Sequence, residues 1–224
     1  SCFGHCAWCI DVIVRSLSDP NVGQLNMNNQ VDAHLIEKKL KSQALFSGHF
    51  LHAFRDTVAL PDGSEATREY VTHPGAVMII PMLEEPDQPL RLVMERQYRY
   101  PVQQVMIEFP AGKLDPNEST LQCAQRELFE ETGYRAQQWA RAGVLHPVIS
   151  YSTEFIEVWF AKDLSLGERN LDEGEFLEVF LQTPESLQQD CLNGKVTDAK
   201  TLTGMFWLQN VLQGNHALEW LPAA

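Results

Sequence analysis

Long apolar runs are missing from this chain of 224 residues. Nowhere do the roughly 18 consecutive apolar residues of a membrane-crossing helix occur, so a transmembrane helix is excluded. Cationic residues are scarce: 17 Lys and Arg stand against 30 Asp and Glu, a net charge of −13. So acidic a chain gains nothing from counterion release, which argues against nucleic acid as a partner. A small anionic substrate would need a divalent cation between itself and the carboxylates. Cysteine is sparse and odd in number: Cys2, Cys6, Cys9, Cys123 and Cys191. Three crowded at one end do not make a secreted disulfide framework, so a reducing, cytoplasmic setting is expected. The apolar stretch from Ala7 to Val14 is broken by Asp11 and has no basic segment before it, unlike a signal peptide. Internal repeats and low-complexity tracts are also absent. Apolar residues, at 44%, are plentiful enough for a buried core. The length suits one large domain, or one with a small appendage.

Residues 1–26 show no clean periodicity, and the pattern changes after Met27. A short amphipathic segment from Val31 to Lys41 is followed by alternation over His49 to Leu60. A turn at Pro61-Asp62-Gly63 and a returning strand over Thr67 to Thr72 complete an expected hairpin. The expected division is an extension over 1–26, amino-terminal strands over 27–74 and a main domain over 75–218. In that domain Ala76 to Leu83 reads as a fully buried strand. Further strands are expected at Leu90–Tyr98, Val105–Phe109, Ala142–Ile149, Phe155–Ala161 and Leu177–Leu181. Helices are expected from Ser119 to Thr132, stopped by Gly133, and over Pro184–Leu192 and Ala199–Leu212. Strands interleaved with helices that must cover both faces predict an α/β sandwich with a mixed sheet, not a doubly wound fold.

The first of these helices carries the chemistry. Glu127, Glu130 and Glu131 share one side of it at i, i+3 and i+4. Like charges so placed destabilise a bare helix, and a hard divalent cation removes the penalty by taking carboxylate oxygens. Leu121, Ala124 and Leu128 fall on the opposite side and can pack under a sheet. A charge run is more often a solvated face, but here Arg126 sits inside the cluster and Gly112 and Gly133 bracket it. Gly112, Glu118, Arg126, Glu127, Leu128, Glu130, Glu131 and Gly133 fit the pattern G-x5-E-x7-R-E-U-x-E-E-x-G-U, U being apolar, with Tyr134 in the last place. This resembles the Nudix box. Seven fixed residues at about one in fifteen each make a chance match on the order of 10⁻⁸ per start.

The resemblance implies an α/β/α Nudix sandwich and hydrolysis of a nucleoside diphosphate linked to another group. It implies Mg²⁺, with Mn²⁺ as the alternative, held by Glu127 and Glu131, the carbonyl of Ala111 and further by Glu130. Arg126 would orient the glutamates, and Glu118 would brace the loop. Outside the box, three stretches resemble the ADP-ribose and nucleoside-diphosphate-sugar pyrophosphatases: Asp56 to Tyr70, Glu95-Arg-Gln-Tyr-Arg-Tyr100 running into Glu108-Phe-Pro-Ala-Gly112, and Asn193 to Ala199. That branch implies Arg68 and Arg99 on phosphates or adenosine, His49 and Phe50 near the base, and Lys113 and Glu154 among the substrate contacts. In the acidic loop Leu171 to Phe176 it implies Glu173 as the catalytic base and Glu175 as a metal-linked carboxylate. The proline that ADP-ribose enzymes carry after the box is shifted here, at Pro147, which suits the wider nucleotide-sugar branch as well. The resemblance also implies a homodimer built through the amino-terminal strands, with Arg68 reaching a partner's site.

Two other functions stay open on the sequence. One is hydrolysis of other nucleotide sugars or of nucleoside triphosphates. The other is an idle nucleotide-binding sensor, which the complete set of box glutamates disfavours. The spacing Cys2-x3-Cys6-x2-Cys9 resembles the iron–sulfur motif of radical-SAM enzymes, and with His5 it could form a zinc knuckle. The remainder of the chain does not supply the barrel the former requires, so 1–26 is expected to lie outside the core.

Overall fold

The computed structural model describes residues 32–167 and 176–223. Its spine is β4 (Ala76–Leu83), where every residue is buried. A strand covered on both faces should be apolar throughout, as this one is. Ala76, Met78, Ile80 and Met82 enter one core, while Val77 and Ile79 enter the other. Beside it β9 (Ile156–Leu166) runs parallel, pairing Ala76 with Ile156 and Pro81 with Ala161. The other pairings are antiparallel: β5 (Arg91–Arg99) with β4, β6 (Gln104–Glu108) and β10 (Leu177–Gln182), and β8 (Tyr134–Leu145) with β9 and β11 (Leu221–Pro222). A short β7 (Ala111–Lys113) adds to β4. The result is an eight-stranded mixed sheet.

Helix α1 (Thr120–Thr132) covers one face, burying Cys123, Ala124 and Leu128 against Val77, Ile79, Trp139 and Trp159. Helices α2 (Pro184–Leu192) and α3 (Ala199–Leu212) serve the other, burying Leu187, Met205 and Leu208 with Met78, Phe109 and Phe160. The α/β sandwich and its mixed sheet agree with the reading of the sequence. At Gly204 an added Cβ would meet Met78 Cε at 2.7 Å and Phe109 Cε2 at 3.0 Å, so glycine is what lets α3 lie this close to the sheet.

The amino-terminal region differs from expectation. Lys38–Ser47, read as partly amphipathic, forms a strand β1, which pairs with β2 (His52–Ala59) and through it with β3 (Glu65–Thr72). A three-stranded sheet therefore stands where a hairpin was expected. All of β1 is exposed, so no one-sided apolar alternation marks it as a strand. This sheet joins the main body through Val71 N–H to the Tyr151 carbonyl (2.8 Å) and Thr153 N–H to the Val71 carbonyl (3.1 Å). The strand expected at Ala142–Ile149 instead spans Tyr134–Leu145, starting directly after the Gly133 cap. His146 follows the strand, and residues 147–150 form the next turn.

Leu128 is fully buried and anchors α1 to the sheet. Leu128→Ala is expected to cost about 2–5 kcal/mol through lost transfer energy and a residual cavity. Urea denaturation followed by tryptophan fluorescence measures it; an unchanged midpoint would contradict this packing.

Candidate active site

A capping box starts the helix that carries the carboxylates. The Ser119 hydroxyl accepts from Gln122 N–H at 3.3 Å, and the Gln122 side chain accepts from Ser119 N–H at 3.0 Å. At the other end Gly133, at φ 78°, sends its N–H to the Phe129 carbonyl at 2.8 Å. These caps, with the buried Leu128 face, set the rotation that brings Glu127, Glu130 and Glu131 to a cleft of about 630 Å³.

Arg126 is the hub of the acidic side. Its Nε and Nη2 each donate to Glu118 at 2.8 Å. Its Nη1 donates to Glu127 at 2.8 Å and to Glu130 at 3.1 Å, and Nη2 also reaches the Lys113 carbonyl at 3.1 Å. The Glu118 bonds, with Glu127 and Glu130, raise the guanidinium pKa above its ordinary value despite burial. The same bonds to Arg126 hold the Glu118 carboxyl below its ordinary range. Glu118 further accepts from Asp115 N–H at 3.0 Å, which pins the loop ahead of the helix. Glu131 is the most buried of the three metal candidates, at 4% exposure, and accepts from Ala111 N–H at 3.1 Å. Gly112 sits so close that a Cβ there would lie 1.8 Å from Glu127 Cδ.

The donors suit a hard divalent ion: carboxylate oxygens on one helix face, beside the Ala111 backbone. Among the described residues, though, no three acidic, histidine or cysteine side chains already converge on one point. Arg126 occupies Glu127 and Glu130 in this arrangement. Nearby Cys123 is buried, and burial first, then the Glu118 and Glu127 charges, push its thiol well above the ordinary value. Its sulfur faces the Lys113 carbonyl at 3.3 Å, and it is no nucleophile.

Cationic side chains line the same cleft. Arg99 lines the cleft and donates Nε and Nη2 to the two oxygens of Glu108, both at 2.8 Å. Lys200, also on the cleft, bonds Glu108 and lies 3.1 Å from Asp198. Burial alone would raise the Glu108 carboxyl, but the Arg99 bonds and the Lys200 charge outweigh it and hold it below the ordinary range. Asp198 caps α3 by accepting from Thr201 N–H at 2.9 Å, and the Thr201 hydroxyl accepts from Phe109 N–H at 3.1 Å.

At the rim Phe50 lies under Lys113, whose Nζ is 4.3 Å from the ring centroid. Phe50 also meets His73 edge-on at 5.3 Å. His73 Nδ1 accepts from Gly75 N–H at 3.1 Å, and Nε2 is 3.8 Å from Glu154. Burial lowers the His73 pKa, against the Glu154 charge. Glu154 lines the main cleft, whereas His49 lines an adjoining hollow of about 770 Å³ shared with Phe50 and His73.

Of the residues singled out in the sequence, Ala111, Lys113, Glu127, Glu130, Glu131, Arg99, Phe50 and Glu154 thus share one cleft. Arg68 is elsewhere: it lies on β3, pairs with Glu37 and bonds the Thr67 carbonyl at 3.0 Å, and it does not line this cleft. A strand arginine gives no sign in sequence of which sheet its strand joins. Glu173 and Glu175, with Cys2, Cys6, Cys9 and His5, lie outside the described residues. The sequence reading gave no role to Glu108, Asp198, Lys200 or His73. A lone acid closing the apolar run Val105-Met-Ile-Glu108 was the available signal for the first, and an Asp at a helix start with Lys two places on for the next two.

The NUDIX domain model matches residues 72–203, and the nucleoside diphosphate sugar hydrolase N-terminal domain model matches residues 37–71. The ADP-ribose pyrophosphatase of Bacillus subtilis (strain 168) is 36% identical over 177 residues, 78% of this chain and 94% of that protein. The methanol dehydrogenase activator of Bacillus methanolicus is 37% identical, over 77% of this chain and 92% of that one. The ADP-sugar pyrophosphatase of Mus musculus is 30% identical, over 65% and 72%. The crystal structure of an ADP compounds hydrolase superposes with a TM-score of 0.71 at 22% identity, covering 80% of this chain and 95% of that one, a likeness of fold.

Gly112→Ala tests the carboxylate geometry. The added methyl must drive Glu127 from its place, and Mn²⁺ affinity is expected to fall about 10–100-fold, as when metal-ligand support is lost. Titration calorimetry measures this, and an unchanged dissociation constant would remove Glu127 from the site.

Proposed function

The chain belongs to the Nudix family, and we propose that it hydrolyses the pyrophosphate bond of ADP-ribose or a related nucleoside diphosphate sugar. The products are a nucleoside monophosphate and a sugar phosphate. One observation carries the reading: box glutamates, Arg99 and Phe50, the last from just before the second strand of the amino-terminal sheet, line a single cleft. Such a cleft matches a diphosphate with a charged centre and an aromatic base at one end. The pyrophosphatase names of two relatives support the same choice.

Mg²⁺, or Mn²⁺ in its place, supplies neutralisation of the phosphate charge and a more acidic water when bound. Glu127, Glu130, Glu131 and the Ala111 carbonyl would hold it, with Glu175. Glu173 takes the proton from the water whose oxygen attacks one phosphorus as the bridging P–O bond breaks. Arg99 presents a planar fork suited to paired phosphate hydrogen bonds. Lys113 adds charge at the rim, Phe50 and His49 flank the base, and Glu154 faces the terminal sugar. The net charge of −13 disfavours nucleic acid as a partner, and the sparse, odd-numbered cysteines suit a cytoplasmic setting.

The test is a panel of ADP-sugars, other nucleotide sugars, dinucleotides and nucleoside triphosphates with Mg²⁺, products resolved by chromatography. ADP-ribose or a close analogue is expected to turn over fastest. Glu173→Gln is expected to lower kcat by on the order of 10² or more with little change in KM. Faster turnover of triphosphates than of every nucleotide sugar would end the substrate assignment and leave the family unchanged.

We further propose that two chains pair about a two-fold axis through the amino-terminal sheet. Its exposed β1 carries Leu40, Leu45 and Phe46 at the surface, and Arg68 would then serve the partner's cleft. Sedimentation at micromolar concentration is expected to give a dimer. A fully active monomer would sink this arrangement.

A further inference from the structure

We infer that His73 is a substrate contact whose Nε2–H, together with the Glu154 carboxylate, takes one hydroxyl of the substrate's terminal sugar. This role rests on the hydrolysis proposed above. The linker His73-Pro74-Gly75 joins β3 to β4. Proline keeps the residue before it extended, and Gly75 takes a φ of 98°. A Cβ at Gly75 would lie 2.4 Å from the Phe155 ring and 2.9 Å from Leu114, so the turn requires glycine. That turn brings the Gly75 N–H back to His73 Nδ1 at 3.1 Å. A ring nitrogen that accepts carries no proton, and the ring proton therefore sits on Nε2. Burial lowers the pKa of the ring, against the Glu154 charge, and favours the same uncharged form.

His73 and Glu154 both line the cleft, the imidazole 10% exposed and the carboxylate 26%. Nε2 lies 3.8 Å from Glu154 Oε1, too far for a direct hydrogen bond. Among the described residues neither Nε2 nor the carboxylate has a hydrogen-bond partner. One oxygen about 2.8 Å from each spans that separation. Backbone contacts hold the separation. His73 N–H donates to Thr153 Oγ1 at 2.9 Å, Thr153 N–H to the Val71 carbonyl at 3.1 Å, and Ala76 N–H to the Phe155 carbonyl at 2.9 Å. The linker that carries His73 is thus laced to the segment that carries Glu154. Phe50 braces the imidazole edge-on at 5.3 Å, and the Lys113 ammonium covers Phe50 in turn. A neutral donor beside an anionic acceptor selects its ligand by chemistry. The carboxylate repels a phosphate oxygen, and a cation leaves the Nε2–H unmet. A hydroxyl accepts from one and donates to the other, so it satisfies both at once. The terminal sugar, which Glu154 faces in the proposed complex, carries such hydroxyls.

The experiment is steady-state hydrolysis by the full chain with Mg²⁺, comparing ADP-ribose with the pentyl ester of ADP. The ester keeps adenosine and the pyrophosphate but has no terminal-sugar hydroxyl. Wild type is expected to prefer ADP-ribose. His73→Phe keeps a ring against Phe50 but has no N–H. In it the ratio of kcat/KM for ADP-ribose to that for the ester is expected to fall about tenfold, an ordinary loss for one hydrogen bond. Glu154→Met is expected to lower the same ratio. The double variant is expected to lose less than the two single losses multiplied, because both groups hold one hydroxyl. An unchanged ratio in His73→Phe, whether both rates fall together or neither does, overturns the inference; the residue is then structural or touches the base. Losses that simply multiply in the double variant overturn it too. If His73→Phe does not fold, as far-ultraviolet circular dichroism would reveal, an unchanged ratio in Glu154→Met suffices to overturn it. Hydrolysis of neither compound by the wild type overturns the substrate reading and this role with it, a result seen before any variant is compared.

Discussion

Crowding of carboxylates on one helix face is the constraint around which this protein is arranged. Glu127, Glu130 and Glu131 would repel one another across one turn of α1, and burial would sharpen the repulsion. Arg126 offsets it by touching Glu118, Glu127 and Glu130 at once. That single side chain links the loop before the helix to the helix itself, since Glu118 also receives the Asp115 amide. The close approach of Gly112 and the Ala111 amide to this cluster follows from the same need to place backbone, not side chain, beside the acids.

Holding such a cluster requires a rigid platform. The platform is β4, with Ile79 N–H bonded to the Pro110 carbonyl at 2.8 Å, so that the turn into β7 is tied to the most buried strand. From the far side α3 reaches the same turn, through Thr201 and Phe109. The loop that meets Glu131 is thus fixed from both layers of the sandwich. Residues of the α1 face and of the α3 cap, from helices packed on opposite faces of the sheet, line one cleft.

The two sets of acids differ in character for a physical reason. On α1, Glu127 and Glu130 are partly exposed beside the buried Glu131, and flexible carboxylate side chains on a helix can rearrange to meet an ion. Glu108 sits in a strand and is nearly inaccessible, so it serves to fix cations and not to bind ligands. Lys113 and Phe50 complete the rim by a cation–π contact that joins the main sheet to the amino-terminal strands. The cleft is therefore lined from the main sheet and from the loop between β1 and β2.

The sequence alone determined much of this. The fixed spacing of Gly112, Glu118, Arg126, Glu127, Glu130, Glu131 and Gly133 identified the helix and its acid face, because helical periodicity converts spacing directly into a face. The apolar runs at 76–83 and 155–161 marked central strands, because strands covered on both sides tolerate little else. Strand β1 was not legible, since an exposed strand needs no apolar alternation. Nor were Glu108, Asp198 and Lys200, which lie up to ninety-two positions apart and meet through β6 and α3. Their pairing is a long-range electrostatic match, and local pattern carries no information about it. Arg68 shows the converse: its residue type suits a phosphate, but the sheet its strand joins, where it pairs with Glu37, decides which cleft it can reach. Chemistry that repeats along one element was written in the chain, while chemistry that depends on which elements meet was decided by the packing of the sandwich.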